Sequence, residues 1–142
     1  MSISKYESSV KIVNSPVEAV YNTLSDLNNI ERVKDRIPAD KIKDIEFDRD
    51  SCSITVDPVG KVKFVICDRE ENKTVKFTAE NSPLPVFIWI QMLPVTETTS
   101  KIKVTCHLEL NMFLRGMVGN KIGNKIKEGI EKIADTLANI NY

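Results

Sequence analysis

Between residues 41 and 110 apolar side chains recur at every second position, and three successive turns bring them to one side of a sheet. Strands are predicted over 41–48, 51–57, 61–68, 73–80, 86–93 and 101–110. Their connections are short, so neighbours pair as antiparallel hairpins. A two-residue turn at Arg49-Asp50 sets Phe47 opposite Cys52 and Ile45 opposite Ile54. A three-residue loop, Pro58-Val59-Gly60, sets Val56 opposite Val62, Ile54 opposite Phe64 and Cys52 opposite Ile66. A four-residue loop, Arg69 to Asn72, sets Ile66 opposite Val75 and Phe64 opposite Phe77. Opposed residues share a face. Three separate loops therefore agree on one apolar face, and a sheet with one apolar face needs a cover.

Residues 112–141 supply the cover. With Asn111 as cap they read as one helix about 45 Å long. Ile122, Ile126, Ile130, Ile133, Leu137 and Ile140 fall in a narrow arc, and the charged residues lie mostly away from its centre. Burying those side chains is worth at most about 9–18 kcal/mol.

Residues 5–13 alternate, with Tyr6, Ser8, Val10 and Ile12 on the side expected to face inward and Lys5, Glu7, Ser9 and Lys11 on the other. Ser15-Pro16-Val17-Glu18 reads as a helix start capped by Ser15, and Asp26 caps a second short helix that ends before Pro38. Strand 101–110 turns Ile102, Val104, Cys106, Leu108 and Leu110 inward and places His107 on the polar face.

The chain has 142 residues, as expected of one domain spanning 1–142. Lys plus Arg equals Asp plus Glu at 20 each, which argues against nucleic acid as a partner. No apolar run is long enough to span a bilayer. The polar N-terminus does not read as a signal peptide, and Cys52, Cys67 and Cys106 read as reduced thiols, so a cytoplasmic protein is expected. No metal-ligand spacing surrounds the lone His107, and no phosphate-cradling glycine loop occurs, so neither a metal nor a cofactor is expected.

The strand ending Val13-Asn14, followed by Ser15-Pro16-Val17-Glu18-Ala19-Val20-Tyr21 and Leu24-Ser25-Asp26, resembles the opening of START-related helix-grip proteins, the SRPBCC superfamily. Polyketide cyclase/dehydrase-like and coenzyme Q-binding proteins are among its members. The resemblance covers the whole element order. It implies an α+β helix-grip fold: a curved seven-stranded antiparallel sheet wrapped around a long C-terminal helix, with two short helices between strands 1 and 2. It also implies an apolar cavity between sheet and helix that takes a lipid, isoprenoid, polyketide or other hydrophobic small molecule; a minority of members are enzymes.

The cavity is expected among Ile30, Phe47, Ile54, Phe64, Phe77, Cys106 and Leu108, with Phe113, Met117, Gly119 and Gly123 from the helix. The helix glycines either leave room for a ligand or permit close packing of neighbouring elements. Trp89 and Gln91 join the cavity if the loop after strand 86–93 has an even length; an odd length turns them outward. That strand is apolar on both faces, which leaves a homodimer contact open. Tyr6, Ser8, Asp68 and Gln91 are the inward polar candidates. They supply no evident acid–base pair, so binding is favoured over catalysis, with a cyclase/dehydrase-type enzyme and a ligand-free interaction module as alternatives.

Overall fold

The computed structural model describes residues 2–32, 43–56, 60–80, 85–110, 112–140 and 142. In chain order the elements are β1 (Ser2–Glu7), β2 (Lys11–Val13), α1 (Val17–Leu24), a 3₁₀ helix (Leu27–Arg32), β3 (Lys43–Phe47), β4 (Ser51–Val56), β5 (Gly60–Glu70), β6 (Thr74–Ala79), β7 (Val86–Pro94), β8 (Ser100–Leu110) and α2 (Met112–Ala138). The strands form one curved antiparallel sheet in the order β1-β8-β7-β6-β5-β4-β3, and β2 also pairs with β8. Eight strands appear where seven were expected because the first is broken. β1 sets Tyr6 opposite Cys106, whereas β2 sets Lys11 opposite Ile102, so one extra residue sits between them.

Ser8 fills that break. Its N–H donates to the Val104 carbonyl at 2.8 Å, and its hydroxyl oxygen accepts the Val104 N–H at 2.9 Å, standing in for a backbone carbonyl. The bulge inverts the expected faces beyond it. Val10 and Ile12 turn out, 55% and 59% exposed, while Lys11 and Val13 turn in opposite Ile102 and Ser100.

The inward Lys11 meets α2. Its ammonium pairs with Glu131 at 2.9 Å and Asp135 at 2.8 Å. Glu131 also accepts the Ser9 N–H and, at 3.1 Å, the Ser9 hydroxyl. The Ser9 N–H, then the Lys11 ammonium, hold the Glu131 carboxyl down at about 2, so it stays ionised where other carboxylates titrate. This clamp fastens the second half of α2 to the strand that bends toward it. Beside it Ile130 and Ala134 are buried in the core. Ile133, expected in the apolar stripe, is 44% exposed; the fully buried position is its small neighbour Ala134.

The three hairpins keep the predicted faces while changing register. Phe47 sits opposite Cys52 as expected, although an irregularity between Lys43 and Glu46 removes the Ile45–Ile54 pairing. Ile54 pairs with Val62 and Cys52 with Phe64, a two-residue shift that preserves facing; loop residues 57–59 lie outside the described residues. The β5–β6 turn is Glu71-Asn72-Lys73, with Asn72 in the left-handed region at φ 59°. Ile66 pairs with Phe77, and a bulge at Cys67 restores the facing that the shorter loop would have reversed.

α1 starts at Val17 with Pro16 as its cap and no side-chain cap bond. Ser15, predicted to cap, lends its carbonyl to the Ser100 hydroxyl at 2.9 Å instead. Asp26 does cap the 3₁₀ helix, its carboxylate accepting the Asn28 N–H at 3.0 Å. Pro38, before which this helix was expected to end, lies outside the described residues.

Candidate functional site

The two helices cover different parts of the sheet. α2 packs chiefly against β8, β1 and β2; α1 packs against β6 and β7. The core sits beneath them and includes Val13, Val20, Val75, Met92, Ile102, Val104, Ile130 and Ala134. Among the described contacts neither helix packs chiefly on β4 or β5. Phe47, Cys52, Ile54, Val62 and Phe64 are half-buried there and lie outside the packed core. Ile30, on the 3₁₀ helix that touches β3, is half-buried too. Among the described residues these apolar side chains form a half-buried wall.

A recess of about 710 Å³ opens along the free edge of β1, bounded by Lys5, Tyr6 and Glu7 on that strand and Lys127 on α2. Tyr6 stands at the edge of the inner face, in register with the buried Cys106. Successive register pairs run inward from Tyr6 to Cys106, Ile88, Phe77 and Ile66.

The expected cavity residues therefore divide. Ile30, Phe47, Ile54 and Phe64 share the half-buried inner region. Phe77, Cys106 and Leu108 face the same way but are buried in the core at 8%, 5% and 8% exposure. Phe113, Met117, Gly119 and Gly123 fall in the first half of α2; their side-chain surroundings lie outside the described residues. Trp89 and Gln91 do not face the cavity. The β7–β8 loop, Val95 to Thr99, has five residues, and Trp89 sits opposite Thr105 and Gln91 opposite Lys103 on the outer face.

That outer face carries an aromatic cluster. Trp89 meets His107 edge to face at 4.6 Å and lies 6.0 Å from Phe87. The Lys76 ammonium stands 4.8 Å over Phe87 and 5.1 Å over Trp89. His107, read from sequence as a residue of the polar face, is half-buried, and its Nε2 is shielded with no hydrogen-bond partner among the described residues. The shallow depression beside it is bordered by Lys5, Glu7, Trp89, Gln91, Lys103, Thr105 and His107.

The inward polar groups mostly have structural work. Ser8 fills the bulge and Lys11 holds α2. Asp68 is exposed on the outer face opposite Lys76, because the Cys67 bulge turns Arg69 inward opposite Val75 in its place. Arg69 donates through Nε to the Ser25 carbonyl at 3.0 Å and through Nη2 to Asp50 at 2.5 Å, tying the end of α1 to the β3–β4 turn. Sequence reading missed Arg69; a charged residue two places after an apolar alternation carries no sign of the bulge that redirects it. Burial pushes the Cys52 and Cys106 thiols up to about 11, so neither is a thiolate nucleophile. Tyr6 remains, half-buried, with no hydrogen bond to its hydroxyl among the described residues. No group of three or more metal-ligating side chains occurs among the described residues, and no helix there is long and apolar enough to cross a membrane.

Neither a protein-family model nor a curated protein matches this sequence. Solved structures do. Truncated norcoclaurine synthase from Thalictrum flavum superposes with a TM-score of 0.71 at 12% identity, covering 96% of this chain and 92% of that one. The same enzyme in complex with dopamine and hydroxybenzaldehyde gives 0.64 at 12% identity, over 93% and 86%. A START superfamily protein from Mycobacterium smegmatis gives 0.55 at 10% identity, over 92% and 98%. At such identities the likeness speaks to architecture. The antiparallel sheet with the terminal helix packed on it, together with this likeness, shows that the chain has a START-type helix-grip fold.

Proposed function

We propose that this protein binds a hydrophobic small molecule, of lipid, isoprenoid or polyketide type, between the sheet and α2. The observation that carries this is the half-buried apolar wall of Phe47, Ile54, Val62 and Phe64, which lies outside the packed core of the described residues. Leaving such side chains partly wet forgoes on the order of 1 kcal/mol or more each. A ligand covering them recovers that free energy. The fold supports the reading, since one protein that shares it has been solved in complex with dopamine and hydroxybenzaldehyde.

The experiment is uptake of a neutral lipophilic dye, with native mass spectrometry of the loaded protein. The expected result is one dye per chain, displaced by a lipid extract. A protein that takes up no dye, and carries no added mass after exposure to the extract, contradicts the proposal.

A second reading has its own observation. Ile12 and Leu93, 59% and 54% exposed, flank Lys101 in one row of the outer face. Such a row suits contact with another protein chain. A concentration-independent monomer by sedimentation removes the homodimer form of it.

A further inference from the structure

We infer that one end of the sheet's outer face is where a second copy of this chain docks, forming a two-fold symmetric dimer. This rests on the second reading above and names the partner.

Among the described residues five large apolar side chains are exposed: Val10, Ile12, Leu93, Val95 and Ile133. The first four gather at one place. Ile12 and Leu93 sit opposite Lys101 from its two sides. Val10 and Val95 each stand two residues further on, so strand alternation keeps them on the same face. Behind them the outer side of β7 carries Phe87, Trp89 and Leu93, interrupted by Gln91. β7 lies between β8 and β6. The wet face of an antiparallel sheet is ordinarily polar, so an inner strand that is apolar on both sides calls for a cover on the outside too. Phe87 and Trp89 have the Lys76 ammonium over their rings, and Trp89 has His107 at its edge. Leu93 stays exposed.

The charges choose the occupant. Lys101, between Ile12 and Leu93, is half-buried, and its ammonium has no partner among the described residues. Glu97, exposed in the β7–β8 loop, has a carboxylate equally without one. Lys103, next on the outer side of β8, is already paired with Glu7 at 3.3 Å. An acidic partner would answer Lys101 and leave Glu97 unmet, and an anionic bilayer would repel Glu97. A second copy answers both, because a two-fold contact sets Lys101 against the partner's Glu97 and repeats the pair. The loop that carries Glu97 is ordered by its own hydrogen bonds. The N–H groups of Val95 and Thr96 donate to the Thr99 carbonyl at 3.0 and 3.1 Å, and the Thr96 hydroxyl accepts the N–H groups of Thr98 and Thr99 at 3.2 and 3.0 Å. A surface fixed before contact loses less freedom on association.

The test is sedimentation equilibrium of wild type, Leu93→Asp, Ile12→Asp, Lys101→Glu, Glu97→Lys and the combined charge swap, each with its thermal midpoint measured. Wild type is expected to dimerise with a dissociation constant below about 1 mM. Leu93→Asp and Ile12→Asp, on neighbouring sides of Lys101, each weaken the dimer at least about tenfold with the fold intact. Either single charge swap weakens it about fivefold or more, and the two together restore it to within about twofold. A dimer indifferent to both apolar replacements, or single swaps that do not restore it when combined, overturns the inference. A wild type that stays monomeric to about 1 mM overturns it as well. If that monomer retains a different protein that Leu93→Asp releases, the inference falls in favour of a foreign partner and the second reading survives; if it retains none, both fall.

Discussion

Ile130→Ala lowers the stability of this fold by about 2–5 kcal/mol, read from the urea midpoint at unchanged slope. Ile130 is 4% exposed and belongs to the core cluster of α1, α2 and the central strands. Removing its branched end leaves a cavity that neighbouring strands, tied by the β8 ladder and by the Lys11 clamp, cannot close. For a domain whose total stability is about 5–15 kcal/mol this is a large share. Ile133→Ala is the matched control. It removes the same atoms from a side chain 44% exposed, and its effect stays within about 0.5 kcal/mol. Equal costs at the two positions contradict the packing of α2 described here.

Ile54→Trp reduces dye uptake at least about tenfold while changing stability by less than about 1 kcal/mol. Ile54 is half-buried on the inner face of β4, opposite Val62 and outside the core cluster, so an indole there is expected to lie along the wall rather than overpack the core. It covers the apolar wall that a ligand would cover. The same enlargement at Val104, which is 0% exposed, overpacks and costs about 1–3 kcal/mol or more. The contrast separates a hollow from a filled interior. If both variants are equally destabilised and Ile54→Trp takes up dye as wild type does, the wall is not where the ligand lies.

Much of the fold was legible because facing depends on parity. Shifts of two residues at the β4–β5 hairpin left every side chain on its predicted face. Single-residue insertions were not legible. The bulges at Ser8 and Cys67 each add one residue inside an otherwise regular alternation, and nothing in composition marks them. The first exchanged Ile12 for Lys11 on the inner face; the second exchanged Asp68 for Arg69. Trp89 and Gln91 turned on the parity of one loop, and a strand apolar on both faces gives no pattern to decide it. The polar Gln91, paired with Lys103 on a strand whose outer face was already clear, was the signal that could have done so. The half-buried wall was legible as an apolar face.

The central claim is that an apolar ligand lies against the inner face of β4 and β5. Methyl-resolved NMR of the protein loaded with dodecanoate tests it most directly. The expected result is intermolecular contacts between the alkyl chain and the methyls of Ile54 and Val62, with Ile12 and Leu93 on the outer face unmoved. Contacts confined to Ile12 and Leu93, or none at Ile54 and Val62 in a protein that holds the ligand, contradict it.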